Sequence, residues 1–154
     1  YLLDDKEAFL SQLRVQAAYT FHDFRFENYV VINEEEDSRT DYTGNQLPGV
    51  APHILVNTID LLTQNGIYLN ITHNFTDKIP LDDGNSFYSD AFHLVDFKVG
   101  VENRAFGIGY DAFFGVNNAF DTRYSLGNDI NPFGRRYFQP APGRNWFAGV
   151  KIRI

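Results

Sequence analysis

The chain has 154 residues, 44% apolar and 21% charged, so it has the size of one domain and is too apolar for a disordered tail. A net charge of −7 and a pI near 4.9 exclude a partner held by phosphate neutralisation, so no nucleic acid is expected. The chain has no cysteine, hence no disulfide and no thiolate metal site, and no apolar run of ~18 residues that would make a transmembrane helix. It also lacks methionine and opens at Tyr1, as a processed chain or an excised piece would.

Helical periodicity is confined to a short stretch near Asp4 to Leu13. Period two then takes over. From Leu13 through Val15, Ala17, Tyr19 and Phe21 the odd positions are apolar and the even ones polar or small, which predicts a first strand near 11–27. A long polar stretch follows from about Asn28 to Pro52 and includes Glu34-Glu35-Glu36-Asp37. A second strand, near 53–63, alternates more weakly. It leads into Gln64-Asn65-Gly66, a hairpin signal, and a third strand near 67–77. A longer loop runs through Asp82-Asp83-Gly84-Asn85. Strands near 91–102 and 105–117 flank a tight turn expected at Glu102-Asn103-Arg104. A long loop from about Asn118 to Arg144, rich in Gly, Pro, Asn and Arg, precedes a last strand near 145–154.

The connections alternate long, short, long, short, long. Outer-membrane barrels carry short turns at one end and long loops at the other, whereas a soluble meander has no reason to gather its long loops. One face of these strands is apolar throughout. The other mixes Arg14, Gln16, Asn70, Thr72, Asp96, Lys98, Asp111, Lys151 and Arg153. Aromatics near strand ends (Tyr19, Phe21, Phe75, Tyr124, Trp146) suit the interfacial girdles of a membrane barrel. The fold expected is all-β: an antiparallel up-and-down meander forming part of a transmembrane β-barrel.

At this point the residues carry a family likeness. Gly115-Val-Asn-Asn-Ala-Phe-Asp121, followed by Arg123-Tyr124, resembles the penultimate-strand exit of TonB-dependent outer-membrane receptors. Pro140-Ala-Pro-Gly-Arg144, running into Trp146-Phe147-Ala148-Gly149-Val150-Lys151-Ile152, is similar to their closing strand. Leu47-Pro48-Gly49-Val50-Ala51-Pro52-His53 resembles the lead into an earlier strand. The resemblance implies a bacterial outer-membrane importer of a scarce nutrient such as a ferric siderophore, with uptake driven through TonB by way of a plug domain. Residues 1–154 would be its C-terminal barrel strands, with no plug among them and the C-terminus periplasmic, so that 28–52, 77–91 and 118–144 lie outside. Ile154 stands where the family usually ends in an aromatic residue, and it keeps the apolar parity.

Outer-membrane transporter barrels have ~22 strands and need on the order of 600 residues, so six strands cannot close one. The isolated chain is therefore expected to self-associate through its edges or apolar face. The alternative is a free-standing small β-barrel that binds a hydrophobic ligand or is structural.

Arg123, Arg135, Arg136 and Arg144 gather in the last long loop with Tyr124, Phe133, Tyr137 and Phe138. Arginine with aromatics suits an anionic, planar ligand such as a catecholate or citrate complex. Arg123, Arg135, Arg136 and Tyr137 are the ligand-binding candidates, against a plain reading of loop packing and contacts to lipopolysaccharide. His22, His53, His73 and His93 have no metal-ligand spacing and read as isolated lumen or interface residues. Asp82-Asp83-Gly84-Asn85 reads as a turn before it reads as a calcium loop. Ser11, Ser38, Ser86, Ser89 and Ser125 include no Gly-x-Ser-x-Gly elbow, so neither an enzyme nor a resident cofactor is expected.

Overall fold

A computed structural model describes residues 9–154. Their strands, in chain order, are β1 (Leu10–Phe21), β2 (Val30–Asn33), β3 (Ser38–Asp41), β4 (His53–Thr63), β5 (Ile67–Thr76), β6 (Ile79–Pro80), β7 (Tyr88–Ser89), β8 (Phe92–Ala105), β9 (Ile108–Asn117), β10 (Ser125–Asn128), β11 (Phe138–Pro140) and β12 (Asn145–Arg153). Six of them form one antiparallel sheet in the order β1-β4-β5-β8-β9-β12, a meander interrupted only by small ribbons in the loops. The ribbons β2-β3, β6-β7 and β10-β11 lie outside the sheet. None of them extends the wall, and β1 does not pair with β12, so among the described residues the sheet is open rather than a closed small barrel.

Three sequence expectations change. The helical stretch near Asp4 to Leu13 falls partly outside the described residues, and its described end, Leu10–Leu13, is strand paired with β4. The first strand stops at Phe21, not near 27. The chain then turns away, and His22 N–H donates to Pro52 O at 2.9 Å while Arg25 bridges Gln46. Glu102-Asn103-Arg104 is not the turn. These residues extend β8, and the reversal is the two-residue loop Phe106-Gly107, both at positive φ (52° and 84°), between the paired Ala105 and Ile108. Two consecutive left-handed residues match the twist of a hairpin. Asparagine at 103 was the misleading signal.

At the β4–β5 hairpin the three residues Gln64–Gly66 turn the chain, with Gly66 N–H donating to Thr63 O at 3.1 Å. Gly66 has φ +81°, and a Cβ there would lie 1.9 Å from Glu102 O, so only glycine fits. Both short turns lie at one end of the sheet, the turn end. The connections 22–52, 77–91 and 118–144 all lie at the other, the loop end.

Register sorts the faces. On one, Val15, Leu55, Ile71, Val99, Phe114 and Val150 belong to a surface on which no strand residue is Asp, Glu, Lys or Arg. No second layer covers it: Val15 is 66% exposed, Val150 71% and Ile152 65%. The molecule exposes 11020 Å², whereas a compact monomer of 17.7 kDa exposes about 7,900 Å². This excess rules out a sandwich with a buried apolar face. The sheet is a wall whose apolar side is left uncovered by the described residues.

Candidate functional site

The buried residues are almost all at the loop end. Leu81 and Ala51 are buried there with Tyr137, Ser89 and Asn118. The loop core is built mainly from asparagine and aspartate, whose short side chains bond backbone groups two to four residues away and replace a ladder where none exists.

The central piece is Asp82–Ser86. Asp82 Oδ1 accepts from Ser86 N–H at 2.6 Å and from Phe87 N–H at 3.2 Å, which closes the turn on itself. Asn85, at φ 52°, reaches the first long loop: Gln46 N–H donates to its Oδ1 at 2.7 Å, and its Nδ2 donates to Gln46 O at 2.9 Å. Asp83 is held from the same side. Asn45 Nδ2 donates to its carbonyl at 2.8 Å, and Tyr29 Oη donates to its carboxylate at 3.2 Å. The adjacent Asp83 charge, with burial, raises the Tyr29 phenol above its ordinary range. From the third loop, Asn131 Oδ1 accepts from Asp83 N–H at 3.1 Å, and Asn131 N–H donates to Leu81 O at 3.0 Å. Three loops far apart in sequence are thus stitched into one pad. Asp82 and Asp83 each accept through one carboxylate oxygen in these bonds, and Asn85 N–H closes the turn on Asp82 O at 3.0 Å.

Rings fill the rest of the pad. Phe26, Tyr29 and Tyr42 pack in series at centroid distances of 4.6 and 5.4 Å. Phe87 takes Tyr137 against its ring at 5.2 Å, and the Arg135 guanidinium sits 4.9 Å from the same centroid.

The arginine-aromatic candidates divide accordingly. Arg135 and Tyr137 meet at Phe87, where Arg135 stays exposed and Tyr137 is buried to 7% exposure. Arg136 is exposed and makes no bond among the described residues. Arg123, also exposed, lines a separate hollow of about 320 Å³ with Ser89, Asp90, Tyr124, Ser125, Phe138 and Pro140. Arg144 is occupied: its N–H donates to Asp121 Oδ1 at 2.8 Å, its guanidinium to Ala119 O at 3.3 Å, and it lies over Trp146. Phe133 projects into solvent at 102% exposure. Tyr124 packs against Phe92 at 5.1 Å, whereas Tyr19, Phe21, Phe75 and Trp146 stand on the apolar face.

The motif Asn117-Asn118-Ala119-Phe120-Asp121 is architectural. Asn118 is buried at φ 52°. Its Oδ1 accepts from Thr122 N–H and its Nδ2 donates to Thr122 O, both at 2.8 Å, while its own N–H donates to Asp96 Oδ1 at 2.7 Å. It ends β9 and launches the third loop.

The polar face of the wall carries a second set of groups. Tyr68 Oη donates to Asp111 at 2.8 Å, and Asn70 Nδ2 donates to Asp60 at 2.8 Å. Glu102 pairs with Arg153. Among the described residues no carboxylate pairs with Lys98: its ammonium lies 4.2 Å from the Phe113 ring centroid and 5.3 Å from that of Tyr68. With Arg14 it leaves two cations on a groove of about 460 Å³. Rings on this face lie over glycines. Tyr68 fills the space a Cβ on Gly100 would need, Phe147 that of Gly115 and Phe113 that of Gly149.

The histidines depart from expectation. They are not isolated: His73 Nε2 and His93 Nδ1 are 3.0 Å apart, and Asn57 Nδ2 is 3.1 Å from His73 Nδ1. His53 Nδ1 bonds Tyr19 Oη at 2.7 Å. Spacing along the sequence hides these pairs, because only the register of β4, β5 and β8 brings them together. Among the described residues no group of three acidic, histidine or cysteine side chains could hold a metal.

Solved structures of other proteins share this fold. The chain aligns over 92% of its length, at TM-score 0.73 and 20% identity, with the siderophore receptor PiuA from Acinetobacter baumannii. It also aligns over 92% of its length, at 0.66 and 15%, with the ferric citrate transporter FecA in its unliganded form. It spans about a fifth of each of those chains, 20% and 21% respectively. The shared fold is a segment of an outer-membrane β-barrel wall. No protein-family model matches the chain.

Proposed function

We propose that this chain forms wall and outer loops of a bacterial outer-membrane receptor that imports a scarce nutrient such as a ferric siderophore. The carrying observation is the exposed face of six strands without one charged side chain, with every long connection at one end. Lipid accepts such a face, and water does not. The likeness to a siderophore receptor and a ferric citrate transporter supports the same reading.

The loop pad faces outward, where it meets ligand and lipopolysaccharide. The polar face lines the lumen against a plug that lies elsewhere in the protein and engages TonB. Uptake is binding followed by gated passage, with no bond made or broken. Arg123, Arg135 and Arg136 meet the anionic ligand, and Tyr137 supports Arg135 through the Phe87 ring. Arg123→Ala and Arg136→Ala in the full-length protein give the cleanest test, because neither side chain holds the pad together. Loss of a charge-assisted contact should weaken ferric-siderophore binding roughly tenfold or more. Unchanged affinity in both variants would remove this ligand assignment.

A further inference from the structure

The hollow of about 320 Å³ at the loop end is a different place from the Phe87 cluster. Tyr137 turns to Phe87, whereas the next residue, Phe138, walls the hollow. Two loops frame it: Asp90 follows β7, and Arg123-Tyr124 leads into β10. Tyr124, Phe138 and Pro140 make its sides apolar, and Tyr124 is braced by Phe92 at 5.1 Å. Ligand pockets run from about 300 to 1,000 Å³, so this one suits a single small group rather than a large ligand.

Three polar side chains on its lining are uncommitted. Ser89 is buried to 4% exposure, yet its hydroxyl makes no hydrogen bond among the described residues. Buried hydroxyls are ordinarily bonded, and the hollow is where this one can find a partner. Asp90 and Arg123 are exposed there and carry opposite charges, but they do not pair with each other. The ion pairs among the described residues are Arg25–Asp23 and Arg153–Glu102. Ser125, which also lines the hollow, is by contrast spent on the backbone of Gly127 and Gln139.

Neighbouring charges do not claim the two. Lys78 comes one step beyond the Ile79–Ser89 pair, beside Asp90, but its ammonium lies over the Tyr88 ring at 5.1 Å. Asp77 accepts from Lys78 N–H at 2.8 Å. Asp121, two residues before Arg123, accepts from Arg144 N–H at 2.8 Å, and Asp129 accepts from Gln139 Nε2 at 3.3 Å. The hollow thus offers a cation, a carboxylate and a hydroxyl between apolar sides. An anion alone would meet Arg123 and be repelled by Asp90, and a cation alone would meet Asp90 and be repelled by Arg123. The group that complements both is dipolar, a carboxylate and an ammonium on one small apolar body.

We propose that this hollow binds an α-amino-acid group of the imported ligand. The carboxylate of that group meets Arg123, its ammonium meets Asp90 with the Ser89 hydroxyl alongside, and its apolar side chain lies against Tyr124 and Phe138. The inference rests on the reading of this chain as wall and outer loops of an importer. It narrows the ligand from any anion to one that carries an amino-acid group, and it disfavours a ligand bearing carboxylates alone at this place.

The test uses the full-length protein that contains this chain, in phosphatidylcholine nanodiscs, and three probes that share one apolar body: phenylalanine, phenylacetate and phenethylamine. Saturation-transfer NMR measures their affinities, with empty nanodiscs as background. Phenylalanine should bind roughly tenfold more tightly than either of the others, as one more charge-assisted bond implies. Asp90→Asn should lower phenylalanine affinity roughly tenfold and raise that of phenylacetate, a reversal that mere loosening of a loop would not give. Arg123→Gln should also weaken phenylalanine binding, and it should favour phenethylamine, while His22→Gln in the first loop should change nothing. If either variant fails to assemble, the three probes compared on the wild type carry the test. Equal binding of the three probes by the wild type would overturn the proposal and leave the import reading in place. So would a phenylalanine affinity that both variants keep. A protein that does not enter the nanodisc at all would contradict the import reading, and the proposal with it.

Discussion

The wall and the loop pad are held together by different physics. In the wall each residue's role is set by parity. Ile71 faces the apolar side and Thr72 the polar side, and their partners across β4 and β8 repeat the choice. Backbone ladders carry the structure, and any side chain of the right polarity serves. In the pad parity has no meaning. Asn85, Asp83 and Asn131 each bond groups on other loops, so identity matters and polarity alone says nothing. A wall built this way tolerates substitution within a class, and a pad built this way does not.

The sharpest way to break the comparison is to place charge on each side of one strand. Ile71→Arg sits at the middle of β5 on the apolar face and should cost about 2–4 kcal/mol of barrel stability, while Thr72→Arg should cost little. Equilibrium unfolding of the full-length protein in lipid checks both. Within the pad, Asn85→Ala removes bonds to the first loop and places a Cβ-bearing residue without a local partner at φ 52°. A loss of about 2 kcal/mol is expected, read as faster amide exchange in 22–52 as well as in 77–91. Exchange confined to 77–91 would mean that the loops are independent.

A smaller effect belongs to Tyr29→Phe, seen as looser exchange around 42–46. Its pH dependence has a definite sign. A phenol held protonated beside Asp83 contributes its bond below the unfolded value near 10 and loses it as pH climbs through the higher folded value. Wild-type pad protection should therefore fall in alkali, and Tyr29→Phe should abolish that extra fall. The smallest expected change is Glu102→Gln. Its pair with Arg153 is half exposed, so wall stability should hardly move.

The same contrast explains what could be read without coordinates. Period two marked every long strand, and the Asn-Gly signal at 65–66 found the first turn. It failed at Glu102-Asn103-Arg104 because Phe106 occupies a left-handed position that sequence rules assign to Asn, Asp or Gly. Among the arginines and aromatics of the last loop, Tyr137 is buried against Phe87, and Arg144 is bound to its own loop. Composition could group these arginines, but it could not say which were already spent. The histidine pair was invisible for a related reason: 20 residues separate His73 from His93, and only a known register makes them neighbours.

The central claim is that the charge-free face of the sheet meets lipid. Single cysteines can be placed in turn at Leu69, Asn70, Ile71 and Thr72 of the full-length protein, with any cysteine outside these 154 residues replaced, then spin-labelled and assayed in bilayers for collisions with oxygen and with a water-soluble nickel complex. Labels at 69 and 71 should collide with oxygen and be shielded from nickel, and those at 70 and 72 should show the reverse. Equal nickel access at all four positions would contradict the account.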